Sequence, residues 1–256
     1  MNLPPSQELF ETCYRGRQSS LHHMSYMRMG KVLPALQILK KNRIELQNRR
    51  ILDYGFGAGT FFRYLPLSAE LYGVEQDPVT VEEVQQMLQN RGHRHVNMQV
   101  IDVDSWQDHP LLQQTYDLVI CSHVLEHLPD PVAFLKVLRT TLVPGGCFLG
   151  LVPINELEDN AHHFWKVDRD MVSGWVANAN LSLRDYEERD PWSYRIQPLY
   201  ANESTNRLLT QGLGLGMGIP ATLLGGQIWE GVGAALSKLL DWKNTQAVFI
   251  AVNSGP

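Results

Sequence analysis

Cysteine is scarce in this chain: Cys13, Cys121 and Cys147 are the only three among 256 residues, and they stand far apart. That spacing excludes a disulfide framework and a CxxC metal knuckle. Two of the three sit in apolar runs, where a reduced thiol packs as a small hydrophobe. Long apolar runs are also missing. The most apolar stretch, Leu213 to Leu224, is glycine-rich and only 12 residues long, short of the roughly 20 that a spanning helix needs. The first ten residues carry Pro4, Pro5 and Glu8 and no apolar segment of the secretory kind, so a cytoplasmic protein with no membrane span is expected. Nor is there an excess of positive charge, since 22 Lys and Arg face 27 Asp and Glu for a formal charge of −5. The basic clusters, Lys40-Lys41-Asn42-Arg43 and Arg49-Arg50, are short and suit a helix end and its loop. Neutralising a run of phosphates takes more than this, so no nucleic-acid partner is expected. The chain has no internal repeat and no low-complexity tract.

What is present begins at Ile51-Leu52-Asp53-Tyr54-Gly55-Phe56-Gly57-Ala58-Gly59-Thr60-Phe61, an apolar strand running into three alternate glycines and then a helix over Thr60 to Leu65, stopped by Pro66. Such glycines let the backbone adopt positive φ and approach a ligand, and a following helix directs free N–H groups at it. A dinucleotide fingerprint G-x-G-x-x-G would require glycine at position 60, where the chain has Thr60.

Around this turn the chain alternates between strand-like and helix-like stretches. Apolar residues at helical spacing over Val32 to Leu46 predict helices ahead of the sheet, and Arg50 to Tyr54 form the first strand. Glu70 to Glu75 form a second strand ending in an acid, and Asp77-Pro78 opens a helix over Val79 to Arg91. Val96 to Ile101 form a third strand, ending at Asp102, and Tyr116 to Cys121 a fourth, whose continuous apolar run suits a strand covered on both faces. Asp130 caps and Pro131 opens a helix to about Thr141; Val143 to Gly146 turn the chain into a fifth strand, Cys147 to Val152. Trp165 to Asn178 read as a helix, Leu181 to Asp185 as a sixth strand, and Gln246 to Val252 as the last. Strands and helices alternating over residues 50 to 152 predict a doubly wound, mostly parallel α/β sheet with right-handed crossovers. Between the last two strands lies an insertion, residues 190–241, rich in aromatics that include Trp192, Tyr194, Tyr200 and Trp229. It fits a substrate lid, a homo-oligomer contact or a helical hairpin on the core, and it predicts a bulky or partly apolar acceptor.

With these motifs in order, and with Leu125-Glu126-His127-Leu128-Pro129-Asp130-Pro131, Leu138-Arg139 and Pro144-Gly145-Gly146 behind the fourth strand, the chain resembles the class I S-adenosylmethionine-dependent methyltransferases. It looks most like the small-molecule branch that includes ubiquinone-biosynthesis-type and natural-product enzymes. The resemblance covers about residues 48 to 155 and implies a Rossmann-like, seven-stranded, mostly parallel sheet. It also implies an N-terminal helical cap over 1–48 and a methyltransferase domain over 49–256. It further implies that Asp53, Gly55, Phe56, Gly57, Gly59 and Thr60 face the methionyl end of S-adenosyl-L-methionine, and that Glu75, followed by Gln76, accepts the ribose hydroxyls. By the same resemblance Asp102, or its rival Asp104, holds the adenine amino group with Val103 beside it, and Cys121 and Ser122 lie near the methyl group. Arg28 is its candidate for the cofactor carboxylate.

Methyl transfer to a small-molecule acceptor, at O, N or C, is an in-line displacement that asks the protein to position the acceptor and remove its proton. Histidine suits that task, and the candidates are His127, His163 and His123, with His162, His22 and His23 behind them. The segment His162-His163-Phe164-Trp165 resembles one that faces the active site in the family. Two other readings compete. His123-Val124-Leu125-Glu126-His127 matches H-x-x-E-H, an inverted zinc-protease signature that implies a zinc hydrolase using His123 and His127. The chain also fits a non-catalytic partner subunit that only binds the cofactor. No paired-acid pattern for metal-assisted transfer is visible, so no metal is expected.

Overall fold

A computed structural model describes residues 26–156, 162–190, 192, 212, 216–221, 223 and 226–255. The elements, in chain order, are α1 (Tyr26–Lys41), β1 (Arg50–Tyr54), β2 (Glu70–Glu75), α2 (Pro78–Asn90), β3 (Val96–Val100), β4 (Tyr116–Ser122), α3 (Pro131–Thr140), β5 (Leu142–Pro153), α4 (Arg169–Asn178), β6 (Ser182–Arg189), α5 (Gly226–Leu240) and β7 (Gln246–Val252). The strands form one seven-stranded sheet in the order β3-β2-β1-β4-β5-β7-β6. Pairs β1–β2, β1–β4, β2–β3 and β4–β5 are parallel, and β7 runs antiparallel to both β5 and β6.

This order explains where a ligand sits. From β1 the chain winds outward through β2 to β3, then returns to place β4 on the other side of β1, so the winding reverses between β1 and β4. Open α/β sheets bind ligands in the crevice beyond the carboxyl ends of the strands at such a reversal. The residues that leave those ends here are Gly55 after β1 and His123 after β4.

The strand assignments follow from burial on both faces. Ile51, Leu52, Asp53 and Tyr54 are buried in succession, as are Leu118 to Cys121 in β4 and Gln246 to Ala251 in β7. One face packs Tyr116, Phe134, Phe148 and Phe249 under α3 and α4, and the other packs Ile38, Leu39, Phe62 and Leu88 under α1 and α2. Three helices start where an aspartate stands before them. Asp77 accepts from the Thr80 N–H at 3.0 Å, Asp130 from Ala133 at 2.9 Å and Asp168 from Met171 at 2.8 Å, each satisfying an otherwise unpaired helix-terminal donor.

Four local expectations change. The predicted helix over Thr60 to Leu65 is a single 3-10 turn, Phe61–Tyr64, because Pro66 leaves too few residues to close α-helical hydrogen bonds. The helix predicted from Trp165 begins at Arg169, after the Asp168 cap. The sixth strand continues to Arg189, paired with Gln246 of β7. Val143 to Gly146 lie within β5: Tyr116 pairs with Leu142 and Leu118 already with Cys147, so the intervening residues bulge out of the ladder. Of the 190–241 insertion, the structure describes α5 and a few residues before it, including Trp192, whose ring meets Trp242 at 5.7 Å between centroids. Tyr194 and Tyr200 lie outside the described residues. Among the described residues no helix is long and apolar enough to cross a membrane.

Candidate active site

The glycine turn leaves β1 with Gly55, Gly57 and Gly59 at φ of +70°, +51° and +67°, a backbone region that L side chains rarely adopt. At Gly59 a Cβ would also lie 2.7 Å from Val84 of α2, so the turn sits directly on that helix. A Cβ on Gly55 would lie 2.8 Å from Val124, which places the turn against the segment leaving β4. Phe56 and Thr60 are buried, Phe56 with its ring against Phe62 at 5.6 Å. The Phe56 ring is therefore core.

Two buried acids flank this turn. Asp53 is 1% exposed and neither of its carboxylate oxygens has a hydrogen-bond partner. Burial, with the nearby Glu75 adding to it, pushes its carboxyl well above the usual range. A buried acid left without a donor fits a ligand that brings its own, as the ammonium of a methionine moiety does. Glu75, 2% exposed, is held in place: Oε2 accepts from the Gly57 N–H at 2.8 Å and Oε1 from the Gln76 N–H at 2.6 Å. Burial outweighs those two donors, with Asp77 adding charge, and lifts its carboxyl to about 7.

That position of Glu75 has a measurable consequence. A carboxyl raised in the folded state favours folding at low pH, and this contribution disappears as pH rises from about 4.5 through 7. Ligand hydroxyls that donate to the carboxylate reverse the preference, so affinity for S-adenosylhomocysteine is expected to rise about tenfold between pH 6 and pH 8. Titration calorimetry across that range, with Glu75→Gln giving a flatter profile, checks it. Asp53, Asp77 and Tyr54 are the other titrating groups within the field of Glu75.

The remaining predicted cofactor residues are less gathered. Asp102 is exposed beyond the end of β3, and its carboxylate accepts from its own loop, from the Asp104 N–H at 3.0 Å and the Ser105 hydroxyl at 3.3 Å. Val103 is exposed. The adjacent Ile101 N–H donates to the Glu75 carbonyl at 3.0 Å, which keeps this loop beside the acid. Cys121 is fully buried, its thiol raised by burial and then by the charges of Glu126 and Asp53 on either side. Ser122 is partly exposed at the end of β4. Arg28 lies on α1 with its side chain outside the described residues, as are His22 and His23.

Beyond β4 a second group of side chains assembles. His123 takes φ +56° and Leu125–His127 form one 3-10 turn, so His123 and His127 do not share the helix that an inverted zinc-protease site requires. Their rings also part. His123 Nε2 meets Gln246 Oε1 at 3.0 Å, and since the Gln246 amide donates to the Gly30 carbonyl at 3.3 Å, the proton between them lies on His123. Burial, then the charge of Lys31, lowers the His123 pKa. His127 Nδ1 instead bonds the His162 carbonyl at 2.9 Å. The zinc-hydrolase reading is thereby corrected.

The chain after β5 docks on this turn. Phe164 N–H donates to the Glu126 carbonyl at 2.8 Å and Trp165 Nε1 to the Leu128 carbonyl at 2.8 Å. This brings His163 edge-on to His127, with ring centroids 4.8 Å apart. Its Nδ1 lies 2.8 Å from Glu156 Oε2. Burial works to lower the His163 pKa, and the Glu156 carboxylate reverses that to a net rise. Glu126 sits between the imidazoles, 0% exposed, with both oxygens lacking a hydrogen-bond partner; His123 Nδ1 approaches only to 3.4 Å. Glu126, Glu156 and Gln246, to which the sequence pattern gives no catalytic role, thus stand against the three histidines His123, His127 and His163.

Comparison with known proteins agrees with this architecture. Residues 21–188 match a family model described as a methyltransferase domain. The ubiquinone biosynthesis O-methyltransferase of Xanthomonas euvesicatoria pv. vesicatoria is 26% identical over 204 residues, 71% of this chain and 80% of that protein. Phosphoethanolamine N-methyltransferase 2 of Haemonchus contortus, solved with S-adenosyl-L-methionine, superposes with a TM-score of 0.61 at 14% identity over 98% of this chain and 60% of its own. The [4+2]-cyclase SpnF gives a TM-score of 0.57 at 15% identity over 86% and 79%. At such identities the superpositions establish the fold, and the family match carries the rest. The chain belongs to the class I S-adenosylmethionine-dependent methyltransferases.

Proposed function

We propose that this enzyme methylates an oxygen of a small-molecule acceptor. The cofactor supplies an electrophilic methyl group on a sulfonium; the chain's own residues must hold the acceptor in line and free its proton. A neutral amine attacks through its lone pair and sheds a proton afterwards, whereas a phenol or alcohol must lose its proton as it attacks. Placing titratable groups at the acceptor position therefore favours oxygen. The observation that carries this reading is the convergence of Glu126, His127 and His163, whose ligand-type atoms lie within 4.8 Å of one another. They sit beside the glycine turn, as the approach of Gly55 to Val124 indicates. The name of the ubiquinone-biosynthesis relatives supports the same acceptor atom.

Loss of the acceptor proton depends on His127 and His163 in this reading, while His123, committed to Gln246, has a supporting place. Methyl transfer from S-adenosylmethionine, followed by mass spectrometry over a panel of phenols and amines, is expected to mark phenols. Both His127→Ala and His163→Ala are expected to lower that rate by a hundredfold or more, as loss of proton-transfer assistance typically does, with S-adenosylhomocysteine affinity unchanged. Rates within about tenfold of wild type in both variants, or methylation of amines alone, would sink the proposal.

A further inference from the structure

The geometry points to α5 as a self-docking surface, on which a second copy of this chain lays its own α5 antiparallel about a two-fold axis. This helix, Gly226–Leu240, spaces Ile228, Val232, Ala235 and Leu239 by four, three and four residues. That is the 3.5-residue repeat of a coiled-coil seam, narrower than the arc by which a helix packs on a globular core. Here the seam faces solvent. Ile228 is 60% exposed, Val232 47% and Leu239 78%, and Ala235 and the adjoining Leu240 are exposed with them. Gly233, off the seam, is buried, so the helix is seated on its own chain by another face. A Cβ on Gly231, which borders the seam, would meet nothing within 4 Å, and the flank of the seam is open there.

The order of residues along the seam selects the occupant. Turned antiparallel, Ile228 opposes Leu239 of the partner subunit and Val232 opposes Ala235 of the partner subunit, so that every layer holds one larger and one smaller or equal side chain. A parallel pair would set each residue against itself, and Ala235 on Ala235 would leave a gap in the seam. A two-fold contact is closed and self-complementary, since the same patch serves both copies. The exposed apolar surface of the seam and Leu240 is roughly 500 Å² per copy, so a pair buries about 1,000 Å², the lower limit for a specific interface. A membrane surface suits this helix less well. Interfacial helices carry several Lys and Arg beside the apolar arc, whereas Lys238 is the one cation of α5 and the whole chain has a formal charge of −5.

Sedimentation velocity on the full chain, from about 1 to 100 μM, tests the inference, and a dimer with a dissociation constant in the micromolar range is expected. Val232→Asp and Leu239→Asp each bring an unpaired charge into the seam and should weaken the dimer a hundredfold or more. Both side chains are exposed in the single copy, so circular dichroism, and the melting temperature at concentrations where wild type is monomeric, should not change. Disulfide trapping reads the orientation. Ile228→Cys mixed with Leu239→Cys should give a linked pair under mild oxidation, against wild type as control, because only the antiparallel arrangement brings these two positions within disulfide reach. Linkage of either variant with itself instead would show a parallel pair and overturn the arrangement. A wild-type chain that stays monomeric throughout, or a dimer untouched by both aspartates, overturns the interface. Binding of the monomer to phosphatidylglycerol vesicles, lost in the same two variants, would assign the seam to a lipid surface and also overturn it.

Discussion

Replacing Glu75 with alanine is expected to weaken S-adenosylhomocysteine binding by at least a hundredfold. The carboxylate is already aimed, with one oxygen on the Gly57 N–H and the other on the Gln76 N–H, so little ordering remains to be done when ribose hydroxyls arrive. Hydrogen bonds to a charged group are worth about 1.5–3 kcal/mol each, and losing two corresponds to roughly a hundredfold to ten-thousandfold. Folding should barely suffer. A buried acid whose pKa is lifted to about 7 opposes folding at neutral pH, so its removal offsets much of what the two backbone donors lose. The expected signature is an unchanged or higher melting temperature with affinity gone. Calorimetric affinity within about threefold of wild type would remove Glu75 from the cofactor site.

The opposite signature is expected at Gly150. This residue lies in the middle of β5, paired with Cys121 of β4 on one side and Phe249 of β7 on the other. A Cβ there would stand 2.2 Å from Phe249 Cζ and 2.5 Å from Cε1. The Phe249 ring is fully buried against Phe148, at 5.8 Å between centroids, and has nowhere to move. Overpacking a rigid core typically costs 1–3 kcal/mol and sometimes more. Gly150→Val, which adds three carbons where one does not fit, is expected to cost about 3 kcal/mol and lower the melting temperature by roughly 6–12 °C. Adding Phe249→Leu should restore part of this, because the two substitutions share one space. A melting temperature within 2 °C of wild type would show that the sheet yields where the packing says it cannot.

These two sites also show what sequence can disclose. Asp53, Glu75 and the glycines stand at strand ends, and strand ends are legible wherever an apolar run stops at a polar or glycine residue. β1 and β7 match their predicted bounds for that reason. The cofactor side of the crevice follows, since neighbouring parallel strands bring their ends together without further information. The histidine cluster beyond β4 does not follow. His123 meets Gln246 across 123 residues of sequence, and His127 meets the His162 carbonyl across 35. No periodicity encodes such contacts; they arise when the post-β5 segment lays its backbone on the Leu125–His127 turn. The H-x-x-E-H pattern misleads for a related reason, because a motif on paper is silent about the positive φ at His123 that ends any helix there.

The placement of β7 carries one more consequence, for the birth of the molecule on the ribosome. A chain made from its amino end completes β1 to β5 first, yet the outer edge of β5 waits for β7, which emerges more than ninety residues after Pro153. During that interval Cys147 to Pro153 present unpaired backbone and apolar side chains, the kind of edge that recruits other strands. β6 emerges earlier but, among the described residues, pairs only with β7 and not with β5, so it does not cover that edge. When β7 slots in, its first residue, Gln246, joins His123 to the Gly30 carbonyl of α1 in the same event. The nascent protein can thus shape the glycine turn and its Glu75 contact early, while the link from His123 through Gln246 to α1 forms only as the last strand arrives.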